Sequence, residues 1–415
     1  MNVTVESFPC GTVQAPPSKS AAHRALICAA LSGGSVKGVS ASADIAATLR
    51  CITALGGRCE TQGDTVRIAA PLAGPKENAV LDCGESGSTL RFFLPLALTF
   101  GKTVLFTGKG RLLQRPLGPY AAALREHGAQ IEKTAEGLVC KGTLRPGEYW
   151  LPGDVSSQFV SGLLFALPFL EGDSVIRLTT RLESRGYVDL TLEALAHAGI
   201  AVDNTGHDVF AVPGGQRPRP FAYEIEGDWS AAAFLLACAA LGRPVGVAGL
   251  HRGSAQGDRA ICRLLERAGA RFLWRDGVLW TQAPERLKAF DANVADIPDL
   301  VPPLAAVMAL CEGESHITGA ARLRMKESDR LATVRETLES LGACITEAAD
   351  SLTIVGCPWL QGGMAGAQND HRIAMMAAVA ALRCRQPVTV TGAECVAKSW
   401  PGFWRDFCPG QGENG

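Results

Sequence analysis

The sequence lacks several features that mark membrane, secreted and zinc-binding proteins. Its longest apolar stretches, such as residues 231–241, are well short of the ~18 residues that a membrane-spanning helix requires. The N-terminal residues lack the basic and then apolar run of a signal peptide, so we expect no secretion. None of the 14 cysteines forms a CxxC pair or a His/Cys cluster with zinc spacing, and scattered thiols are typical of a reducing compartment. We therefore expect a cytoplasmic protein that does not bind a membrane.

An excess of charge of one sign is also missing. Lys and Arg number 40 and Asp and Glu number 41, and aromatic residues make up only 6% of the chain. No overall field attracts nucleic acid, and no basic stripe with interleaved aromatics is present, so we expect no nucleic-acid partner. Any binding of anions must come from local clusters of basic residues. A chain of 415 residues, 47% of them hydrophobic, predicts two large globular domains.

Internal repetition is what the sequence does contain. An amphipathic helical pattern that ends in glycine, followed by the start of a strand, recurs five times. Each glycine fits the C-terminal cap of a helix, and the spacing is about 70 residues. The five glycines are Gly56, Gly128, Gly199, Gly269 and Gly342.

A second pattern has the same period: a polar or Ser-rich opening and then a helix that is hydrophobic nearly all round. It occurs six times, and the helices end at Leu31, Leu98, Leu167, Leu241, Leu310 and Leu382. Helices of this kind must be buried. Six such units predict an α/β (α+β) protein with two similar lobes of three units each. A long solenoid is the alternative, but its usual repeats are shorter, at roughly 20–50 residues.

Basic and hydroxyl residues gather at or near the openings of the buried helices, where free N–H groups and the helix dipole favour anions. In the first opening, Lys19 and Ser20 lie in one helical turn and Arg24 one turn later. In the last, His371 and Arg372 precede an apolar helix, which is unusual for surface charges. Taken alone, each segment could instead be an ordinary helix start, with hydroxyl groups that cap the helix and charged groups that face solvent. The segments are PPSKSAAHR (16–24), GESGSTLR (84–91), RLLQRP (111–116), DVSSQF (154–159), RMKESDR (324–330), NDHR (369–372) and AKSWPGF (397–403).

In this order and spacing, the seven segments resemble the 5-enolpyruvylshikimate-3-phosphate synthases, a family of the shikimate pathway. The resemblance runs from residue 16 to residue 403. It implies two lobes, each of three βαβαββ units with buried helices, in an inside-out α/β barrel. Lobe I would comprise residues 1–16 and 227–415, and lobe II residues 17–226. The active site would lie in the cleft between the lobes and would be completed when they close.

The resemblance also implies the reaction. Relatives transfer the enolpyruvyl group of phosphoenolpyruvate to the 5-hydroxyl of shikimate 3-phosphate and release phosphate through a tetrahedral intermediate. They use no metal and no organic cofactor. We therefore expect these two small molecules as partners, and a monomer.

Residues in and around the seven segments match the site positions of the family. Those that match shikimate 3-phosphate-binding positions are Lys19, Ser20, Arg24, Ser156, Ser157, Gln158, Ser184, Tyr187, Asp299 and Lys326. Those that match phosphoenolpyruvate-binding positions are Lys19, Gly87, Arg115, Gln158, Arg330, Arg372 and Lys398. Each substrate carries a phosphate and a carboxylate, which Arg pairs through two parallel N–H groups and Lys through point charge.

Three residues match catalytic positions. The reaction needs one proton delivered to the methylene carbon of phosphoenolpyruvate and another removed from the attacking hydroxyl. Asp299 matches the position beside that hydroxyl, and Glu327 and Lys19 match the acid/base positions near the vinyl carbon. Three other positions depart from the family pattern: Arg322 and Glu85 stand where Asn is common, and Ser88 where Thr is common. Arg322 would add charge near the shikimate phosphate, and we do not assign it to the site.

Two other functions differ from this one in the sequence features that they require. The related enolpyruvyl transferase of cell-wall synthesis has the same fold but uses a nucleotide sugar. It has Lys-Asn where this chain has Lys19-Ser20, and a reactive loop cysteine that GKGRLLQRP (108–116) lacks. A non-catalytic anion-binding homologue would have lost the acid/base residues, which are present here.

Overall fold

The structure, a computed structural model, describes residues 1–409. Contacts within the chain divide it into two compact units. Unit 1 combines Met1–Pro16 with the chain from Glu226 onward, and unit 2 is Pro17–Ile225.

Strands and helices alternate along the first half of the chain. In chain order they are β1 (Asn2–Val5), β2 (Gly11–Gln14), α1 (Lys19–Ser32), β3 (Gly34–Lys37), α2 (Ala43–Ala54), β4 (Arg58–Gln62), β5 (Thr65–Ala70), β6 (Ala79–Asp82), α3 (Gly87–Leu98), β7 (Val104–Thr107), α4 (Gly118–Glu126), β8 (Ala129–Lys133), β9 (Leu138–Gly142), β10 (Glu148–Leu151), α5 (Ser157–Ala166), β11 (Ser174–Leu178), α6 (Arg185–His197), β12 (Asp203–Thr205), β13 (Val209–Val212) and β14 (Phe221–Glu224).

The second half continues the alternation. Its elements are α7 (Trp229–Ala240), β15 (Val245–Ala248), α8 (Ile261–Arg267), β16 (Arg271–Arg275), β17 (Val278–Gln282), β18 (Ala292–Asn293), α9 (Val301–Met308), β19 (Glu314–Thr318), α10 (Arg330–Ser340), β20 (Cys344–Glu347), β21 (Leu352–Val355), β22 (Gly363–Gly366), α11 (His371–Ala380), β23 (Val388–Thr391) and α12 (Phe403–Phe407). Short 3-10 helices lie at Leu112–Gln114, Leu167–Phe169, Gly257–Ala260, Pro298–Leu300, Ala321–Met325, Ala381–Arg383 and Ala393–Lys398.

The strands of residues 1–409 form six sheets that repeat one topology. In five of them a parallel pair is extended by two antiparallel strands, in the orders β14-β3-β5-β4, β6-β7-β9-β8, β10-β11-β13-β12, β2-β15-β17-β16 and β18-β19-β21-β20. The sixth, β22-β23-β1, has three strands, and β1 pairs antiparallel with β23. The predicted α/β fold of repeated units is therefore confirmed, and its sixth copy is one strand shorter.

Each unit is built around three helices that are buried nearly all round, as the sequence predicts. In unit 2 these are α1, α3 and α5, and α3 packs against α5. In unit 1 they are α7, α9 and α11, which pack against one another. Every residue of α7 is buried, because all but one of its side chains are apolar and no face suits water. The polar openings of these helices are thereby held at the edge of each core.

The five predicted glycine caps are also confirmed. The glycines follow the C-caps of α2, α4, α6, α8 and α10, and their φ angles lie between +76° and +104°. This left-handed conformation is accessible to glycine because it lacks a Cβ. Each of these helices consequently ends at the same point of its repeat.

No helix within residues 1–409 combines the length and the apolar character needed to cross a membrane.

Candidate active site

The first turn of α1 carries two of the predicted site residues. Ser18 caps the helix by accepting a hydrogen bond from the backbone N–H of Ala21, so Lys19 and Ser20 begin the helix. The Lys19 ammonium lies 2.8 Å from the Asp44 carboxylate in the first turn of α2. Sequence reasoning missed Asp44, although its place after a Ser at a helix start was a usable signal. The ion pair with Asp44 thus helps to hold the Lys19 side chain in place.

Arg24 lies one turn further along α1 and is almost fully buried. Its guanidinium donates to the backbone oxygens of Ser20 and Tyr187, both at 2.7 Å, and to the Thr191 hydroxyl at 2.8 Å. It also lies over the Phe92 ring, 5.2 Å from its centroid. Burial lowers the pKa of Arg24 to about 10, so the group stays protonated at neutral pH. No carboxylate within residues 1–409 forms an ion pair with it, which leaves a buried positive charge without an internal counter-ion.

Residues from three segments meet at the start of α3. Arg91 donates to the backbone oxygen of Gly87 and, at 3.1 Å, to the Gln158 side chain, which in turn donates to the Ser88 hydroxyl at 2.9 Å. A Cβ added to Gly87 would lie 2.6 Å from Arg91 and 2.8 Å from the Arg115 guanidinium. The close approach of two guanidinium groups explains why this position is glycine. The predicted residues Gly87, Arg115 and Gln158 are therefore neighbours.

The remaining predicted residues of unit 2 lie at the starts of α5 and α6. Ser156 caps α5 by accepting from the Gln158 N–H, and Ser157 is the first residue of that helix. Ser184 precedes α6 in the left-handed conformation, with φ of +59°. Tyr187 stands in the first turn of α6, with its ring 5.9 Å from the Arg24 guanidinium. Arg24 thus joins the start of α1 to the start of α6.

In unit 1, Arg330 at the start of α10 is surrounded by carboxylates. Its guanidinium lies 2.9 Å from Asp299, 2.6 Å from Glu327 and 2.9 Å from Asp370. Burial disfavours its charge, but the three carboxylates together raise its pKa above the ordinary value. Arg330 is only 1% exposed, so it holds these acids in fixed positions.

Asp299 is the centre of a wider cluster of cations. It lies in the 3-10 turn before α9, and its carboxylate is 3.2 Å from Arg372 and 3.8 Å from the Lys326 ammonium. Burial lowers the pKa of Lys326 to about 8 despite the opposing effect of Asp299. Arg322 faces the same cluster and donates to the backbone oxygen of Ala295 at 2.6 Å.

Two further carboxylates of unit 1 were missed from the sequence. Asp370 caps α11, is fully buried, and accepts hydrogen bonds from the Arg372 N–H and the Ser328 hydroxyl as well as from Arg330. The Asp before a helix start was a usable signal. Asp258 is also buried and accepts a short hydrogen bond from Ser230. Burial and the nearby charge of Asp299 raise the pKa of Asp258 to about 7.

The structure thus gathers the predicted residues into one group in each unit. Unit 2 holds Lys19, Ser20, Arg24, Gly87, Arg115, Ser156, Ser157, Gln158, Ser184 and Tyr187, all at or near the starts of α1, α3, α5 and α6. Unit 1 holds Asp299, Lys326, Glu327, Arg330, Arg372 and Lys398; Lys398 donates to the backbone oxygen of Asn369 at 2.8 Å, next to the cap of α11. Cations and hydroxyls make up most of the first group, and the second places two carboxylates, Asp299 and Glu327, among four cations.

The chain is similar along nearly its whole length to one family of known proteins. A family model described as EPSP synthase (3-phosphoshikimate 1-carboxyvinyltransferase) matches residues 9–407. A 3-phosphoshikimate 1-carboxyvinyltransferase of Clostridium kluyveri is 42% identical over 402 residues, which cover 96% of this chain and 94% of the relative. The protein of the same name from Clostridium acetobutylicum is 42% identical over 414 residues, covering 97% and 96%.

Solved structures give the same result. An EPSP synthase from Acinetobacter baumannii matches with a TM-score of 0.78 at 27% sequence identity, covering 97% of this chain and 96% of the other. A second structure of an EPSP synthase from that organism gives a TM-score of 0.77 at 26% identity. The likeness extends over both units of the chain.

Proposed function

The chain belongs to the EPSP synthase family, and we propose how its own residues divide the work of the enolpyruvyl transfer that defines that family. The enzyme transfers the enolpyruvyl group of phosphoenolpyruvate to shikimate 3-phosphate in the shikimate pathway. The acceptor is the 5-hydroxyl, and the reaction proceeds by addition and then elimination of phosphate.

The buried charge of Arg24 is the observation that carries the proposal. A guanidinium that is removed from water and has no internal carboxylate is costly unless an anion joins it. Shikimate 3-phosphate supplies a phosphate and a carboxylate. Arg24 binds this substrate together with hydroxyl and amide groups at the starts of α1, α5 and α6, namely those of Ser20, Ser156, Ser157, Gln158, Ser184 and Tyr187. Free N–H groups at the helix starts add to the attraction.

Phosphoenolpyruvate is bound by the cations around Gly87. The absence of a side chain at Gly87 lets the Arg115 guanidinium come close to the backbone, and Gln158 lies within reach of both groups of residues. From unit 1, Arg330, Arg372 and Lys398 supply further positive charge. This charge stabilises the phosphate as it leaves.

The proton transfers are assigned to Lys19, Asp299 and Glu327. Asp299 accepts the proton of the attacking hydroxyl, while Glu327 and Lys19 serve the methylene carbon of phosphoenolpyruvate. Each of the three side chains is fixed by an ion pair: Lys19 by Asp44, and the two carboxylates by Arg330. Such fixed geometry is what general acid–base catalysis requires.

The state and location of the enzyme are part of the proposal. All 14 cysteines are unpaired, as expected for a reducing compartment such as the cytoplasm. The net charge of -1 gives no attraction to nucleic acid. The enzyme acts as a monomer on its two small-molecule substrates and uses no metal or organic cofactor.

A phosphate-release assay tests the proposal. The enzyme is incubated with phosphoenolpyruvate and either shikimate 3-phosphate or a UDP-amino sugar. We expect phosphate release only with shikimate 3-phosphate. Release only with the sugar would favour the cell-wall transferase, and no release with either acceptor would favour a non-catalytic homologue.

A further inference from the structure

A buried chain of polar side chains connects α1, α2 and α3 in unit 2. The Nδ1 atom of His23 lies 2.7 Å from the Thr48 hydroxyl, which lies 2.8 Å from the Thr89 hydroxyl. The Thr89 hydroxyl donates to the Ser86 hydroxyl at 2.8 Å. All four residues are buried, and none was singled out by the sequence or used in the proposed mechanism. We call these four hydrogen-bonded side chains, of His23, Thr48, Thr89 and Ser86, the hydroxyl relay.

The direction of each hydrogen bond in the relay follows from counting hydrogens. Thr89 has one hydroxyl hydrogen, and it is donated to Ser86. Thr89 must therefore accept from Thr48, which in turn must accept from His23. The relay thus requires a hydrogen on Nδ1 of His23.

The other ring nitrogen of His23 supports the same state. Within residues 1–409, Nε2 is buried and has no hydrogen-bond partner. Burial, with the charges of Lys19 and Arg24, lowers the pKa of His23 well below its usual range, so the ring is neutral. A neutral ring with its hydrogen on Nδ1 leaves Nε2 as a bare acceptor. A leucine would fill similar space without an unsatisfied nitrogen, so the donor at Nδ1 is the feature that distinguishes this residue.

The relay lies beside the catalytic and binding residues of unit 2. His23 is one helical turn after Lys19, and Thr48 is one turn after Asp44, so the relay and the Lys19–Asp44 ion pair are successive contacts between α1 and α2. At the other end, Ser86 is the N-cap of α3 and directly precedes Gly87. The relay therefore joins the helix start that carries Lys19 to the one that carries Gly87.

We propose that the hydroxyl relay, with His23 as a neutral Nδ1–H donor, positions the starts of α1 and α3 so that Lys19 and Gly87 face the same phosphoenolpyruvate. His23, Thr48, Thr89 and Ser86 are positioning residues for the reaction. The inference rests on the proposed assignment of phosphoenolpyruvate to Lys19, Gly87 and Arg115. Lys19 matches a binding position for both substrates, but Arg24 is held by other contacts, to Ser20, Tyr187 and Thr191, so we expect the relay to affect shikimate 3-phosphate much less than phosphoenolpyruvate.

The first test is independent of activity. Nitrogen-15 NMR of the histidine rings in the intact enzyme distinguishes the two neutral tautomers. We expect the His23 ring to carry its hydrogen on Nδ1 across the neutral pH range. A hydrogen on Nε2, or a ring that is protonated at pH 7, would overturn the relay whatever the enzyme's substrates are.

The second test is kinetic and uses Thr48→Val, which keeps the shape of the side chain but removes the hydroxyl. We expect the KM for phosphoenolpyruvate to rise at least tenfold and the KM for shikimate 3-phosphate to change less than twofold. His23→Asn, whose amide N–H stands close to the position of Nδ1–H, should keep most of the wild-type KM, whereas His23→Leu should not. Thr53→Val is the matched control, because Thr53 is an exposed residue of α2 whose hydroxyl donates to the backbone oxygen of Leu49 in its own helix and takes no part in the relay.

Arg115→Met separates failure of the relay from failure of the proposed function. If Arg115→Met raises the KM for phosphoenolpyruvate and Thr48→Val does not, the relay has no positioning role and the inference is overturned. If neither variant changes that KM, the assignment of phosphoenolpyruvate to this part of unit 2 is wrong, and the inference falls with it.

Discussion

The buried arginines of the two units differ in what neutralises them. Arg24 in unit 2 donates to two backbone oxygens and one hydroxyl, and no carboxylate of residues 1–409 pairs with it. Arg330 in unit 1 is equally buried but contacts Asp299, Glu327 and Asp370. A buried cation without an internal anion is suited to binding an anionic ligand, whereas one among carboxylates keeps those carboxylates in place. Arg24 is thus suited to binding an anion, whereas Arg330 holds in place the two carboxylates, Asp299 and Glu327, to which proton transfers are assigned.

The largest effect expected from this comparison is on stability. Arg330→Met leaves buried carboxylates without their cation, and we expect a loss of about 3–5 kcal/mol in the free energy of unfolding. Arg335→Met is the matched control: Arg335 also pairs with three carboxylates of unit 1, but the pairs are partly exposed and should contribute about 1 kcal/mol or less. Thermal and urea unfolding measure the loss for each variant. If Arg330→Met and Arg335→Met lost the same free energy of unfolding, the distinction between the two arginines would be wrong.

The next largest effect is on turnover. Lys19→Met removes a proposed acid/base group, and we expect kcat to fall by about 10²–10³ with little change in the melting temperature. Lys37→Met serves as the control, because Lys37 forms an exposed ion pair with Glu224 in the same unit. A parallel loss of melting temperature and kcat would mean that Lys19 has a structural role. Glu327→Gln removes the corresponding acid/base group of unit 1, and we expect it to lower kcat by a similar factor.

The raised pKa of Asp258 in unit 1 predicts that the free energy of unfolding depends on pH. Its pKa in the folded state is about 7, above the unfolded value, so the folded state holds this proton more tightly. The stability that the proton supplies is complete below pH ~4 and is lost as pH rises through 7, by on the order of 4 kcal/mol. Asp258→Asn should flatten this part of the stability curve. Asp276→Asn, in an exposed turn, should leave it unchanged, and an unaltered curve for Asp258→Asn would contradict the assignment.

The smallest effect concerns Lys326. Its pKa of about 8 means that it loses its proton just above neutral pH. If the ammonium binds shikimate 3-phosphate, the Kd for that substrate should rise by up to about tenfold between pH 7 and pH 9. Lys326→Arg should remove most of this dependence because arginine stays protonated. An identical pH dependence in the variant would exclude Lys326 as its source.

Local signals explain what was predicted correctly. The glycine caps and the six apolar helices recur in the sequence, so the α/β fold of repeated units followed from the pattern. The placement of Lys19, Ser156 and Arg372 at helix starts likewise depends on neighbouring residues only. The shorter sixth sheet was not predictable in this way, because β1 joins it from the far end of the chain.

Long-range packing explains what the sequence did not reveal. Asp44 becomes a partner of Lys19 only when α1 and α2 pack together. Burial and the charge of Asp299 raise the pKa of Asp258 only in the folded chain, and the hydroxyl relay exists only where three helices meet. A local pattern can mark Asp44 as a helix-start residue, but it does not identify the partner that the side chain meets in the folded chain. The resemblance to a family identified many of the site residues, but it did not show which charges are balanced within the protein.

The equilibrium affinity of Arg24 variants for shikimate 3-phosphate tests the central claim most directly. Calorimetric titration of wild type, Arg24→Met and Arg177→Met, the last an arginine of unit 2 that also lies over an aromatic ring, gives the three dissociation constants. We predict that Arg24→Met weakens binding by about 100-fold, as expected from the loss of charged hydrogen bonds, without lowering the melting temperature, and that Arg177→Met binds as wild type. An unchanged dissociation constant in Arg24→Met would contradict the account.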